Sequence, residues 1–237
     1  MAQQNHSVYD AVGNRTQITD FNGETSLMFY DDSDRLIQID YGDGQRERFE
    51  YDNNGNRVRA LQITALGDSR ETSYAYDERD RLVEEHQANG YRLRYAYDAV
   101  GNRTRQTRVA PDDSEVHTAY TFDALNRLQS VTANADTDNA QTTTYGYDEV
   151  GNRNSISYAN GSSQLYTYDA LNRLTRLESY NAEGALVHRY DYTLAPTGRR
   201  TQIDELNGRT SAYTYDSRYR LVSETITDSE NGDHEAS

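Results

Sequence analysis

The stretch Tyr95-Ala-Tyr97-Asp98-Ala-Val-Gly101-Asn102-Arg103 has the pattern of a strand end, a tight turn and the start of the next strand. Asp follows the first residue of the repeated motif in every copy except the ninth, where Thr193 stands. Repetition at intervals of about 20 to 50 residues is typical of repeat architectures, so the repeat predicts the fold. The ten copies begin at Tyr9, Tyr30, Tyr51, Tyr76, Tyr97, Phe122, Tyr147, Tyr168, Tyr192 and Tyr215.

The motif has the chemistry of a type I turn. Asp is favoured at the first turn position, because its carboxylate accepts backbone N–H groups, and Gly is favoured at the fourth. Asn and Asp tolerate the left-handed backbone best after Gly, and they replace it in alternate copies. Tyr219 is the exception, and we interpret the ninth copy as carrying two extra residues before Gly198. The replacements are Asp34, Asp80, Asn126 and Asn172.

Two types of copy alternate along the chain. One type ends in Gly-Asn-Arg, as at 101–103, and the other ends in Arg-Leu, as at 127–128. The Arg-Leu copies start at 30, 76, 122, 168 and 215, which are 46, 46, 46 and 47 residues apart. This regularity predicts a unit of two hairpins that is used about five times.

A second set of turn signals lies between the Tyr-Asp motifs. Asn-Gly and Asp-Gly pairs between alternating segments are strong hairpin signals. They predict an all-β protein: a continuous antiparallel β-hairpin meander in a curled or spiral, shell-like sheet. The alternatives are a five-bladed propeller and a closed barrel or ring. We expect a single array over residues 1–237 with frayed ends at 1–6 and 228–237. The clearest of these turn signals are Asn22-Gly23, Asp43-Gly44, Asn89-Gly90, Asn160-Gly161 and Asn207-Gly208.

Pairs of tyrosines precede most of the turns and share one face of their strand, because side chains alternate along a strand. Two interpretations are open: the aromatic rings fill a core, or they form a surface that binds sugars or another protein. The candidate ligand-facing residues are Tyr74, Tyr76, Tyr95, Tyr97, Tyr145, Tyr147, Tyr166, Tyr168, Tyr213 and Tyr215.

The motifs at 97–104 and 168–174 resemble the Rhs, or YD, repeats, and the resemblance extends from Tyr9 to Leu221. Such repeats occur in bacterial Rhs polymorphic toxins, in the B and C components of insecticidal toxin complexes, in wall-associated proteins and in teneurins. The resemblance implies a spiralling β-sheet that forms a hollow shell, which in the toxin members encloses a C-terminal toxic segment. The Asp-Pro elements of the family core are missing, because neither Pro111 nor Pro196 follows an Asp.

The composition and the motifs argue against several classes of function. The formal charge of −15 argues against nucleic acid as a partner, and no apolar run reaches the length of a membrane span. The five His residues lack metal-ligand spacing, and there is no Cys, phosphate loop or nucleophile elbow. We therefore expect no enzyme activity, no metal and no cofactor.

Two functional hypotheses follow. The first is a structural segment of a larger bacterial Rhs-type protein, part of a shell around a toxin or effector. The second is an extracellular module that binds carbohydrate or a cell-surface protein. Either function is expected of a secreted or cell-surface parent protein, although this segment carries no export signal. The open ends of a meander also predict edge-to-edge self-association.

The arginines also recur at a nearly constant distance from the start of the motif. Basic residues number 24 and all are Arg, and one of them lies five or six residues after the first aromatic of every copy except the ninth. Arg forms two-point contacts with carboxylates and stacks on aromatic rings. We therefore predict that residues such as Arg103 and Arg127 contact carboxylates or Tyr rings of a neighbouring hairpin.

Overall fold

The computed structural model describes residues 5–228 and 232–236, and these residues form strands and turns without any helix. No element of the described ranges is therefore a helix that could cross a membrane. The twenty-one strands are β1 (His6–Tyr9), β2 (Arg15–Thr19), β3 (Thr25–Tyr30), β4 (Leu36–Asp40), β5 (Arg46–Tyr51), β6 (Arg57–Ile63), β7 (Ser69–Tyr76), β8 (Leu82–His86), β9 (Arg92–Tyr97), β10 (Arg103–Val109), β11 (Glu115–Phe122), β12 (Leu128–Ala133), β13 (Gln141–Tyr147), β14 (Arg153–Ser157), β15 (Ser163–Tyr168), β16 (Leu174–Tyr180), β17 (Leu186–Leu194), β18 (Arg200–Glu205), β19 (Thr210–Tyr215), β20 (Leu221–Asp228) and β21 (Gly232–Ala236).

The chain divides into two compact units, Met1–His117 and Thr118–Ser237. In the first unit, β1 to β10 each pair antiparallel with their chain neighbours. In the second unit, the strands from Thr118 of β11 to β21 pair in the same way. The all-β hairpin meander is thus confirmed, whereas the extent of the array as one domain stays a prediction.

The propeller alternative is wrong. Blades of four strands would separate β4 from β5 and β8 from β9, yet both pairs are hydrogen-bonded without a break. Within each unit, the described strands contact only their chain neighbours, so neither unit closes on itself as a barrel or ring.

The turns after the Tyr-Asp pairs have the predicted geometry. In the turn that starts at Asp98, its N–H donates to the Asn102 carbonyl at 3.0 Å and the Gly101 N–H donates to the Asp98 carbonyl at 3.2 Å. The predicted left-handed residues have φ near +60°: Asp34 (59°), Asp80 (58°), Asn126 (60°) and Asn172 (59°). Tyr219 takes the same conformation at φ 69°, although a bulky side chain rarely does so.

The turn of the ninth copy differs from the prediction. Ala195 donates its N–H to the Arg199 carbonyl, and Gly198 donates to the Ala195 carbonyl. Leu194 therefore holds the Tyr position and Ala195 the Asp position, and the turn has no extra residues. The expectation that Tyr192 begins this copy is wrong. The position of the turn depends on its distance from Gly198, and a Tyr at the first position of the motif is not required.

The turns at the opposite rim use the same geometry. At Gln87-Ala-Asn-Gly90, the N–H of Gln87 donates to the Tyr91 carbonyl and that of Gly90 donates to the Gln87 carbonyl. Gly90 has φ +84°, whereas Asn89 does not have a positive φ. The Asn-Gly pair thus occupies the third and fourth positions of a type I turn, instead of the two central positions of a type I′ turn.

The two sides of the sheet differ. The aromatic face, defined within each unit as the side that carries the paired tyrosines, is half-buried, whereas residues between them such as Ala96 and Thr167 are exposed. Cross-strand partners on the aromatic face are often apolar, as in Tyr145 with Ile156 and Tyr166 with Leu177. Among the described residues, the buried apolar side chains are Val109, Ala135 and Ile156, of which Val109 is fully buried.

The predicted frayed ends fall partly outside the described residues, which omit 1–4, 229–231 and 237. His6 begins β1, Asp228 ends β20, and β21 pairs with β20. Fraying of either end therefore stays a prediction.

Substitution of Gly184 tests the turn geometry. Gly184 has φ +78° with no atom within 4 Å of an added Cβ, so Gly184→Ala introduces only backbone strain. We expect a loss of about 1 kcal/mol in the free energy of unfolding, measured by urea denaturation. Gly184→Asn should lose less, and Glu183→Ala in the same turn should lose nothing. Equal midpoints for Gly184→Ala and Glu183→Ala would contradict the assignment.

Candidate functional site

The Tyr-Asp turns of each unit carry the densest side-chain hydrogen bonding, and we call each unit's set of these turns its Tyr-Asp rim. The turns are Asp10–Asn14, Asp31–Arg35, Asp52–Asn56, Asp77–Arg81 and Asp98–Asn102 in the first unit. In the second unit they are Asp123–Arg127, Asp148–Asn152, Asp169–Arg173, Ala195–Arg199 and Asp216–Arg220.

The turn aspartate organises each turn. One carboxylate oxygen of Asp31 accepts the N–H groups of Ser33 (2.9 Å) and Arg35 (3.0 Å). Its other oxygen accepts the Arg35 Nε at 2.8 Å. In Gly-Asn-Arg copies an asparagine replaces the arginine, as where Asn56 Nδ2 donates to Asp52 at 3.0 Å. Each aspartate therefore shapes its turn and fixes the direction of one donor side chain.

That arginine also contacts the next motif. Arg35 Nη1 donates to the Asp52 carbonyl at 3.0 Å, and its guanidinium lies 4.9 Å from the centre of the Tyr51 ring. The prediction for Arg127 is confirmed, because it lies 4.4 Å from the Tyr147 ring centre in the next hairpin. The same forward hydrogen bonds join Arg81 to Asp98, Arg127 to Asp148 and Arg173 to Ala195.

The asparagine of the other type reaches forward as well. Its Nδ2 donates to the side chain of the left-handed residue of the next turn, from Asn14 to Asp34, from Asn56 to Asp80 and from Asn152 to Asn172. In the ninth copy Arg199 takes this position, and its guanidinium lies 3.8 Å from the ring centre of Tyr219. Tyr219, a bulky residue at the left-handed position, thus contacts Arg199, which stands where other copies have asparagine.

The tyrosine of the motif reaches backward. Its hydroxyl donates to the carbonyl of the residue that begins the preceding strand, a contact between successive hairpins that the sequence did not predict. The bonds of 2.7–3.1 Å run from Tyr30 to Arg15, Tyr51 to Leu36, Tyr76 to Arg57, Tyr97 to Leu82, Tyr147 to Leu128, Tyr168 to Arg153 and Tyr215 to Arg200.

The arginine after Gly-Asn lies over the aromatic two residues before the motif. Arg103 lies 5.5 Å from the Tyr95 ring centre and Arg200 lies 4.0 Å from that of Tyr192. These rings belong to the arginine's own hairpin, so a ring contact of Arg103 is confirmed within its own hairpin, and its contact with a neighbouring hairpin stays a prediction. Arg153 differs, since it lies 5.1 Å from Tyr166 of the next strand.

All ten candidate ligand-facing tyrosines are half-buried. The hydroxyls of Tyr76, Tyr97, Tyr147, Tyr168 and Tyr215 bind backbone carbonyls, as above. Of the five earlier tyrosines, Tyr74, Tyr95 and Tyr166 lie beneath an arginine, the Tyr166 hydroxyl donates to Gln164, and burial raises the pKa of Tyr213. Tyr145 faces Ile156 on the next strand. A ligand-binding role for these ten residues stays a prediction.

The pKa values of the turn aspartates are lowered in the folded chain. The hydrogen bond from the Arg81 side chain is the main cause that lowers the pKa of Asp77 from its ordinary value of 3.8 to about 2. The pKa is also lowered at the eight other turn aspartates, Asp10, Asp31, Asp52, Asp98, Asp123, Asp148, Asp169 and Asp216. Perturbed carboxylates often mark active sites, but here each has a structural partner in its own turn. Across the described part of the chain, no three His, Cys, Asp or Glu side chains are grouped as a metal site would require.

The comparisons with known proteins agree with this repeat geometry. The family model described as RHS Repeat matches residues 30–68, 76–114 and 122–163, together just over half of the chain. Each match begins at the first residue of an Arg-Leu copy. A search of curated proteins finds no match.

A solved structure shares the fold of this chain. The chain is similar to the crystal structure of TcdB2-TccC3-TEV, with a TM-score of 0.61 and 16% identity, over 93% of this chain and 14% of that chain. It is also similar to TcdB2-TccC3 without its hypervariable C-terminal region, with a TM-score of 0.49 and 17% identity, over 93% and 16% of the two chains. The chain thus spans less than a fifth of either solved chain, and the similarity shows the fold alone.

Removal of one tyrosine hydroxyl tests the backward bond. Tyr97→Phe leaves the Leu82 carbonyl without its donor, so we expect a loss of about 1 kcal/mol in the free energy of unfolding. Tyr9→Phe is the matched control, because Tyr9 is 58% exposed and begins the first copy. Urea denaturation should separate the two variants; equal losses would show that the bond does not stabilise the sheet.

Acid titration tests the turn carboxylates. A carboxylate with a lower pKa in the folded chain stabilises it above pH 3.8, and this stabilisation is lost as the pH falls through about 2. We expect the urea midpoint to fall from about pH 4 downwards, with proton uptake on unfolding. Asp77→Asn should take up about one proton fewer than the parent chain, because it lacks the carboxyl group whose pKa is lowered. An unchanged profile in Asp77→Asn would refute this account.

Proposed function

The chain belongs to the RHS repeat family, and on that premise we propose that it is a structural segment of a larger bacterial protein. In this proposal the segment forms part of a β-shell that encloses or displays a toxin or effector segment. The parent protein would be secreted or exposed at the cell surface, and the main partner of this segment would be the rest of that polypeptide.

One observation carries the proposal: successive hairpins are joined through the rim contacts rather than through a thick core. Fully buried apolar side chains are few, while forward Arg and Asn contacts and backward Tyr hydroxyls recur from motif to motif within each unit. A wall one sheet thick needs such lateral joints, because it lacks a second layer to pack against. The similar TcdB2-TccC3-TEV chain is much longer than this segment, which covers 14% of it.

A protection experiment on the full-length parent protein tests the shell. If the wall encloses a segment, the double variant Arg81→Ala with Arg127→Ala removes two forward joints and should expose that segment to protease. Glu183→Ala, at a turn tip of the opposite rim, should leave protection unchanged. Equal cleavage in all three proteins, or a parent sequence with neither further repeats nor an effector segment, would count against the proposal.

A second candidate function, binding of carbohydrate, is favoured by a groove in the second unit. The groove has a volume of about 620 Å³, which lies in the range of ligand sites. Tyr158, which is 38% exposed, lines it together with the polar side chains of Gln141 and Asn160. A tyrosine ring beside amides suits a sugar, which stacks on the ring and hydrogen-bonds to the amides.

A glycan array tests this second candidate. Binding that disappears in Tyr158→Ala and persists in Tyr219→Ala, an exposed tyrosine that does not line the groove, would support it. An array without signals, or equal loss in both variants, would remove it.

A further inference from the structure

The tips of the Tyr-Asp rim in the second unit carry large apolar side chains. They are the third residues of three successive turns: Leu125 is 69% exposed, Val150 is 71% exposed and Leu171 is 68% exposed. Turns mostly use Gly, Pro, Asn, Asp or Ser, and single exposed apolar residues are common on protein surfaces. Three on neighbouring turns form a patch, and exposed apolar patches mark surfaces that contact a partner. We call Leu125, Val150 and Leu171 the apolar row.

The turn geometry does not require these residues. At the opposite rim of the same unit, the third residues of the equivalent turns are polar: Asn160, Glu183 and Asn207. In the first unit, Val12 is 72% exposed at the third position of its turn, but the next turn presents Ser33. The apolar row is therefore specific to one stretch of one rim, and local turn chemistry does not explain it.

The apolar row is held in a fixed arrangement. The N–H of each tip residue donates to the aspartate carboxylate of its own turn, at 2.9 Å for Leu125, 3.1 Å for Val150 and 2.9 Å for Leu171. Side-chain hydrogen bonds also join the three turns to one another, from Arg127 to Asp148 and from Asn152 to Asn172. Little conformational freedom of the chain therefore remains to be lost when a partner binds the row.

The spacing of the row selects the conformation of its partner. Neighbouring strands are about 4.8 Å apart, so successive Tyr-Asp turns, which are two strands apart, stand about 9.6 Å apart. Along an α-helix, residues seven positions apart lie on one face and about 10.5 Å apart. Along an extended strand, residues on one face are about 6.8 or 13.6 Å apart, and neither distance fits the row. The spacing therefore fits a helix and not a strand.

The shape of the row distinguishes a helix from a polyproline II segment. Residues three positions apart in polyproline II lie on one side and about 9.3 Å apart, which is close to the spacing of the row. Such segments, however, bind in grooves lined by aromatic side chains. The row consists of aliphatic side chains that protrude from turn tips, and such side chains fit the holes between four residues on a helix surface. The row thus favours an α-helix.

The charge of the chain selects the residues that flank the apolar face of that helix. The chain carries a formal charge of −15. At the row, Arg127 and Arg173 are paired with the aspartates of their own turns, and Glu149, which precedes Val150, is exposed. A second copy of the chain would bring like charges together, whereas Lys or Arg residues of a helix would be attracted.

We propose that the apolar row docks a basic amphipathic helix of a partner polypeptide, with Lys or Arg residues on both sides of its apolar face. Leu125, Val150 and Leu171 insert into successive holes along that face, and the basic residues of the helix lie near Glu149. The docking surface belongs to the second unit alone. It does not depend on whether the wall encloses a segment.

A synthetic helix tests the proposal. The probe is a fluorescent peptide of Leu and Lys, about three heptads long, with leucines at the first and fourth positions of each heptad. Fluorescence anisotropy measures its binding to the chain. Because the described residues of the chain form no helix, the helix signal in circular dichroism reports the peptide. We expect the peptide to bind and to gain helix, whereas a scrambled peptide of the same composition should do neither.

Val150→Asn should raise the dissociation constant of the probe by about tenfold, because it removes the central apolar side chain and leaves a residue that suits a turn. Val12→Asn is the matched control, because it makes the same change at the same turn position with nearly the same exposure. Binding should be unchanged in this control. Circular dichroism of the chain alone should show that both variants keep the sheet.

Three kinds of result would overturn the inference. Equal losses in Val150→Asn and Val12→Asn, or equal binding of the scrambled peptide, would show that charge alone attracts the probe. Tighter binding of an alternating Leu-Lys peptide, or of a Pro-rich peptide with Leu at every third position, would show that the partner is extended. Absence of binding at about 1 mM peptide, or a dimer of the chain alone that Val150→Asn dissociates, would remove the helix as the occupant of the row.

Discussion

The hydrogen bonding of the turn aspartate is the interaction on which the rest of the sheet depends. One carboxylate oxygen binds two backbone N–H groups and sets the turn, while the other holds an Arg or Asn side chain in a fixed direction. Because that donor is fixed before it meets the next hairpin, little side-chain entropy remains to be lost when the contact forms. Local turn chemistry is thereby converted into contacts between hairpins.

This arrangement explains how a sheet with so few buried side chains can hold together. Ordinary domains gain most of their stability from a buried core, whereas here Val109, Ala135 and Ile156 are the buried apolar residues of the described ranges. The half-buried rings of the aromatic face, the arginines stacked on them and the rim hydrogen bonds spread stabilisation along each unit. In such quasi-one-dimensional arrays stability is a sum of local and neighbour terms, so the loss of one contact is absorbed locally.

The sequence predicted what depends on single turns and on alternation. Strand, turn and left-handed positions such as Asn172 follow from Asp, Gly and Asn chemistry, and the paired tyrosines follow from the two-residue period. The hydroxyl bond from Tyr97 to Leu82 could not be predicted, because it depends on the spacing between neighbouring hairpins. Matching the ninth copy by the identity of Tyr192 gives the wrong alignment, because the turn starts at Ala195. Counting three residues back from Gly198 would have placed Ala195 at the start of the turn.

The ninth and tenth copies show what the repeat requires. Elsewhere an asparagine donates to a left-handed Asp or Asn of the next turn, but Arg199 meets Tyr219 instead, with the guanidinium 3.8 Å from the ring centre. A neutral hydrogen bond is thus replaced by a cation–π contact, and a bulky residue occupies a backbone conformation that ordinarily disfavours it. Both residues of this pair differ from those of the other copies, but they still form a contact between one turn and the next. The constraint on the array is therefore a geometric one, that each turn must present a group to the next, and more than one pair of side chains satisfies it.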